Sequence, residues 1–129
     1  MYNEVIQAVI DMAQAAAGAK VVLGSLPPDN GLAMTGNAAS NPIFLDIGSN
    51  EEMAVVCNGK NADQQIVINQ LNAIHAALTR RKDFPATGKW QIYAIETTAS
   101  PRLIGREQNN KNQWVYGSSL RVKFNVKGI

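Results

Sequence analysis

Few residues in this chain could do acid–base or covalent chemistry. His75 is its one histidine and Cys57 its one cysteine. A nucleophile needs a base within hydrogen-bond reach, and the only imidazole stands one position beside Ile74, on the flank of a helical apolar stripe. That placement predicts a histidine packed against a sheet or a neighbour, not a general base. Cys57 lies between Val56 and Asn58 in an apolar run and reads as a small buried residue. One cysteine also excludes an intrachain disulfide. No His and Cys cluster at metal-ligand spacing exists, and the adjacent Glu51 and Glu52 read as a solvated turn. The ten glycines are scattered and form neither GxGxxG nor GxxxxGK, the loops that cradle phosphate. The expectation is a chain without catalytic residues, metal or cofactor.

Pattern carries more than chemistry here. In QWVYGSSLRVKF (113–124), Trp114, Tyr116, Ser118, Leu120, Val122 and Phe124 share one parity. Val115, Gly117, Ser119, Arg121, Lys123 and Asn125 share the other. Successive side chains of a strand point to opposite faces, so this is one mostly apolar face and one polar, basic face. Gly117 within it predicts a bend or a close approach. Trp114, Tyr116 and Arg121 could instead form a base-stacking strand. Yet the aromatics share their face with Leu120, Val122 and Phe124, which a one-sheet domain needs for its core.

The bulk numbers narrow the class. A length of 129 residues fits one domain, 1–129. Twelve Lys and Arg against ten Asp and Glu give a net charge of +2, too little to attract nucleic acid by field alone. The excess is local: acidic residues thin out after Glu107, while Lys111, Arg121, Lys123 and Lys127 lie beyond it. Charged residues are only 17% of the chain, and Asn and Gln fill the gap, which suits packing against other protein. The N-terminus lacks a positive start and carries Glu4 and Asp11, unlike a signal peptide. No run approaches the roughly 18 apolar residues that span a bilayer, so the expectation is a soluble protein with no membrane partner.

Several elements must hold this pattern in place. Val5, Val9, Met12 and Ala16, with Ile6, Ile10, Ala13 and Ala17 beside them, predict a helix over 3–17 that stops at Gly18. KVVLGSL predicts a short strand and PPDNG a turn. LAMT and PIFLDI predict two short strands joined by GNAASN, and MAVVCNGK a better one. Val67, Leu71, Ile74 and Leu78 make a single stripe on a second helix. Asn61 and Gln64 have the spacing of a capping box at its start; Arg80, Arg81 and Lys82 suit its end; Pro85 follows. WQIYAIETTAS predicts a strand that Pro101 either breaks or confines to an edge. RLIGREQNNKN then predicts a polar connection. Two helices segregated on one side of a largely antiparallel or mixed sheet, ending in a long C-terminal β-ribbon, give an α+β fold.

QQIVINQLNAIHAALTR (64–80), the FP at 84–85 and WQIYAIETTASPRLIGREQNNKNQWVYGSSLRVKF (90–124), with the earlier LPPDNGLAM, resemble the tail terminator proteins of siphophages and prophages. These are also described as minor capsid or neck proteins. The resemblance implies a small subunit of a hexameric ring that stops tail-tube growth and faces the filled head, with no reaction and no cofactor. Implied partners are copies of the chain, the tail tube protein and a head-completion or connector protein. DNA would pass through the lumen without specific binding. The implied location is the tail or neck of the virion, assembled in the bacterial cytoplasm. Other head–tail connector or head-closure proteins and a small nucleic-acid-binding module are the alternatives. The family offers no active-site residues, so the interface expectations come from the sequence itself. Arg121 and Lys123 either meet acidic groups of an adjacent subunit, line the lumen, or keep the outer face wet. Arg102, Arg106 and Lys111, on the 100–112 connection, either contact the tube or head connector or belong to a mobile polar loop.

Overall fold

The computed structural model describes residues 2–27, 29–38, 49–107 and 112–126. The order is α1 (Tyr2–Ala17), β1 (Val21–Leu23), β2 (Gly31–Ala38), β3 (Ser49–Asn61), α2 (Gln64–Thr79), β4 (Trp90–Arg106) and β5 (Trp114–Val126). The strands form one sheet in the order β1-β2-β3-β5-β4. Only the β1–β2 pair is parallel. Both helices pack on the same face, which makes the α+β layer expected from the sequence. PIFLDI (42–47) lies outside the described residues.

Both helices form where their apolar stripes predict. On α1, Val5, Ile6, Val9, Ile10, Met12 and Ala13 are buried; Gly18, at φ +67°, donates its N–H to the Gln14 carbonyl at 2.9 Å and ends the helix. On α2, Val67, Leu71, Ile74 and Leu78 are all buried. Each such aliphatic side chain contributes about 1.5–3 kcal/mol on burial. The cap of α2 differs from the expected one. Asp63 is the N-cap and its carboxylate accepts from the Gln65 N–H at 3.0 Å. Asn61 still belongs to β3, and its side chain accepts from the Asp63 N–H at 2.9 Å. The shift is physical: β5 reaches far enough to pair Trp114 with Asn61, so the strand keeps that residue.

The sheet is longer than the sequence suggests. β3 starts at Ser49, so Glu51 and Glu52 stand in a strand and not in a solvated turn; Glu51 is buried and Glu52 lies on the opposite face. β4 continues through Pro101 to Arg106. It can do so because it is an edge strand, where a missing N–H costs no ladder bond. Four register shifts punctuate it, one of them between Ala99 and Arg102, around the proline. Arg102 and Arg106 therefore sit on a strand, not on a connection. β3 pairs with β5 over its whole length, which widens the expected two-strand ribbon to three long strands.

The faces of β5 divide as the alternation predicts. Tyr116, Ser118, Leu120, Val122 and Phe124 are buried under the helices, and Trp114 is half-buried against the same core. Tyr116 donates its hydroxyl hydrogen to the Gln64 side chain at 2.7 Å, tying the strand to the start of α2. Trp90 Nε1 donates to Glu4 Oε2 at 2.8 Å and ties β4 to α1. Cys57 is buried as expected, and desolvation pushes its thiol up to about 12.

α2 approaches the sheet closely because β3 carries Gly59. A methyl there would lie 2.6 Å from Val67 Cγ2 and 2.8 Å from Leu32 Cδ2, both in the core. Gly59→Ala should lower the unfolding free energy by about 1–3 kcal/mol, the usual cost of overpacking, as read from urea denaturation. A second test concerns acid. His75 is buried between α2 and β4, with Nδ1 2.8 Å from Thr97 Oγ1 and Nε2 without a hydrogen-bond partner among the described residues. Burial holds the imidazole below its ordinary 6.5. The unfolded chain therefore binds the proton first, and stability present above pH 6.5 is lost as the pH falls toward the folded value. The thermal midpoint should drop on acidification below that pH, and His75→Gln should flatten the drop.

Candidate functional site

Among the described residues, no three of His, Cys, Asp and Glu come together in a way that could hold a metal ion. No helix among them is long and apolar enough to cross a membrane. The feature that stands out is a surface: the helices cover one face of the sheet and leave the other bare. Its centre is shallow and partly apolar, lined by Val56, Asn58, Ala99, Ile104, Gly117 and Ser119. Gly117 is the close approach its position predicted. A methyl there would lie 2.5 Å from Ile104 Cδ1 and 3.0 Å from Asn58 Oδ1, so the glycine lets the Ile104 side chain lie across β5.

Arg121 and Lys123 project from this bare face, and the chain supplies acids beside them. Arg121 Nε lies 3.7 Å from Glu52 Oε2 on β3. Lys123 Nζ lies 2.9 Å from Glu96 Oε1 on β4. Cross-strand register puts Glu52 opposite Lys123 and Glu96 opposite Arg121, so the four charges alternate across three strands. The hydrogen bond from Lys123, and then its charge, hold the Glu96 carboxyl below the usual range. The same contact raises the Lys123 ammonium. The sequence showed the cations as a basic face; spacing along one strand could not reveal the acids contributed by β3 and β4. This part of the face is close to electrically balanced.

The other expected residues fall elsewhere. Arg102 lies on the bare face near the far end of β4, opposite Gly117, with no ion pair among the described residues. Arg106 places its guanidinium 5.0 Å from the centre of the Trp114 ring, within range of a cation–π contact. Lys111 lies outside the described residues. The four described residues of this set therefore do not form one cluster. Tyr116 is buried and bonded to α2, so it offers no base-stacking surface.

A contact absent from the sequence reading anchors this end of the sheet. Lys60 Nζ lies 3.1 Å and 3.3 Å from the two oxygens of Glu107. The Lys60 side chain is only 8% exposed, while Glu107 is 33% exposed, so the lysine end of the pair is the one withdrawn from water. Beside it, Gln113 Oε1 accepts from the Asn30 N–H at 2.8 Å, and Asn30 Oδ1 accepts from the Ala62 N–H at 3.1 Å. These bonds join the turn before β2, the β3–α2 junction and the start of β5. Sequence separation hides them, because the partners are 32 to 83 residues apart.

The fold is shared with a chain of the solved "Virion of native gene transfer agent (GTA) particle". The TM-score is 0.64 at 15% identity, over 95% of this chain and 93% of that one. At that identity the likeness is one of fold. No family model and no curated protein matches the chain.

Lys123→Glu should lower the thermal midpoint by setting a third acid beside Glu52 and Glu96. Adding Glu96→Lys should recover most of the loss. The difference should shrink in 1 M salt, where the screening length falls to about 3 Å.

Proposed function

We propose that this chain is a structural protein of a phage-like virion, and within it a tail terminator or neck subunit. The fold shared with a chain of a gene transfer agent virion, along almost the full length of both, carries this reading. The subunit closes with copies of itself into a hexameric ring. One side of the ring caps the tail tube protein, and the other receives a head-completion or connector protein. DNA passes through the lumen without specific binding, in keeping with a net charge of only +2. The protein carries out no reaction and takes no cofactor. It is made in the bacterial cytoplasm and ends in the tail or neck of the particle.

A sheet with one face bare supports the reading physically, since a subunit of an assembly needs surface to give to its neighbours. Interfaces that are not self-complementary close into rings when the rotation between subunits permits. A different connector or head-closure protein of the same neck is the second reading, because the fold likeness does not separate these positions.

Light scattering after size exclusion, with negative-stain images, tests the proposal. The expected species has six times the subunit mass of 13.9 kDa and a central hole. A monomer that binds DNA with affinity falling steeply in salt would replace both with a nucleic-acid module.

A further inference from the structure

Two surfaces at opposite edges of the sheet each expose a large apolar side chain beside charges of opposite sign. Ile104 (61% exposed) and Leu23 (58%) are the most exposed of the large hydrophobic side chains among the described residues. Single exposed apolar residues need no explanation, but these two have opposite electrostatic surroundings. Ile104 lies on the bare face at the β4 edge beside Arg102, while Arg106, past the last register shift, turns to Trp114 on the helix side. Neither arginine has an ion pair among the described residues. Leu23 lies on the helix side at the β1 edge, in a shallow groove completed by Asn3, Glu4, Gln7, Ala8 and Asp11 of α1. The groove's two acids also lack ion pairs among the described residues. Glu4 accepts from the Trp90 indole and Asp11 from the Gln7 amide, both uncharged partners.

We propose that the Arg102–Ile104 end of β4 docks into the α1–β1 groove of a second copy of this chain, Ile104 against Leu23 and Ala8, with Arg102 facing Glu4 and Asp11. This gives the ring of the preceding reading its subunit contact and rests on that reading only for closure. The two surfaces differ and lie on opposite edges and opposite faces, so the contact is head-to-tail and each copy offers both halves. Strand addition is not the alternative. The free edge of β4 carries Pro101 and four register shifts, features that block edge pairing. Side chains must therefore make the contact.

A charge exchange and a cross-link test it on the full chain. Arg102→Glu and Asp11→Arg should each weaken assembly by roughly tenfold or more, because each sets like charges face to face. Mixing the two variants should restore assembly, since the tip of each then meets a groove of opposite sign. Failure of the mixture to recover overturns the contact. For the cross-link, Leu23→Cys and Ile104→Cys in one chain should give, on oxidation, a ladder of covalent species on a non-reducing gel. Cys57, the only native cysteine, is buried and does not compete. Abundant dimer from Ile104→Cys alone would mean a tip-to-tip contact and overturn the proposal. Wild-type rings unaffected by either charge reversal would overturn the contact and leave the ring standing. Open chains that depend on both residues would uphold the contact and remove the ring. A wild type that stays monomeric at every concentration would overturn both.

Discussion

The structure depends on β5 being wet on one face and dry on the other while paired along both edges. β3 and β4 bond to it from either side, so its backbone polar groups are spent in ladders and its side chains alone decide orientation. Tyr116, Ser118, Leu120, Val122 and Phe124 turn to the helices; a slip of one residue would put Arg121 and Lys123 into the core instead. The helices then have one place to go. The α2 stripe from Val67 to Leu78 needs an apolar floor, and β5 with its neighbours is that floor. Gly59 lets α2 come down onto it, and Tyr116 pins the start of the helix.

With both helices on one side, the opposite side of the sheet has to be made compatible with water or with another protein. It uses two devices at two places. Toward one end, Glu52, Arg121, Glu96 and Lys123 alternate and neutralise one another. Exposed pairs of this kind add little stability; their effect is to fix which charges the face presents. Toward the other end of β4, the face is apolar at Ile104 and carries Arg102, which has no ion pair among the described residues. The first region is self-contained and the second is incomplete. That contrast, more than the number of basic residues, is what the proposed contact rests on. An edge strand as long as β4 would ordinarily be an aggregation hazard, and Pro101 with its register shifts removes that risk while leaving the side chains free to bind.

Local periodicity made much of the fold legible. Both helices, the alternation of β5 and the segregation of helices from strands follow from residues within a few positions of each other. Burial of Cys57 and His75 was likewise readable from their apolar neighbours. The departures share one cause. Asn61 looked like a helix cap and is a strand residue because β5 pairs with it; Glu51 and Glu52 looked like a turn and lie in β3 for the same reason. RLIGR looked like a connection and extends β4, because β5 offers partners out to Arg106. In each case a local polar signal was overridden by hydrogen bonding to a distant strand.

By itself, then, the sequence determined which segments are amphipathic, with what period, and which face of each must be buried, since those properties are set by side chains adjacent in the chain. It also limited the chemistry, having one histidine and one cysteine. Tertiary structure alone decided the charges. Arg121 and Lys123 became half of a balanced array because pairing brought Glu52 and Glu96 beside them, while Arg102, Ile104 and Leu23 became candidates for contact through what was not placed next to them. An electrostatic environment is a sum over distances in space, and residues far apart in sequence contribute to it as fully as neighbours do.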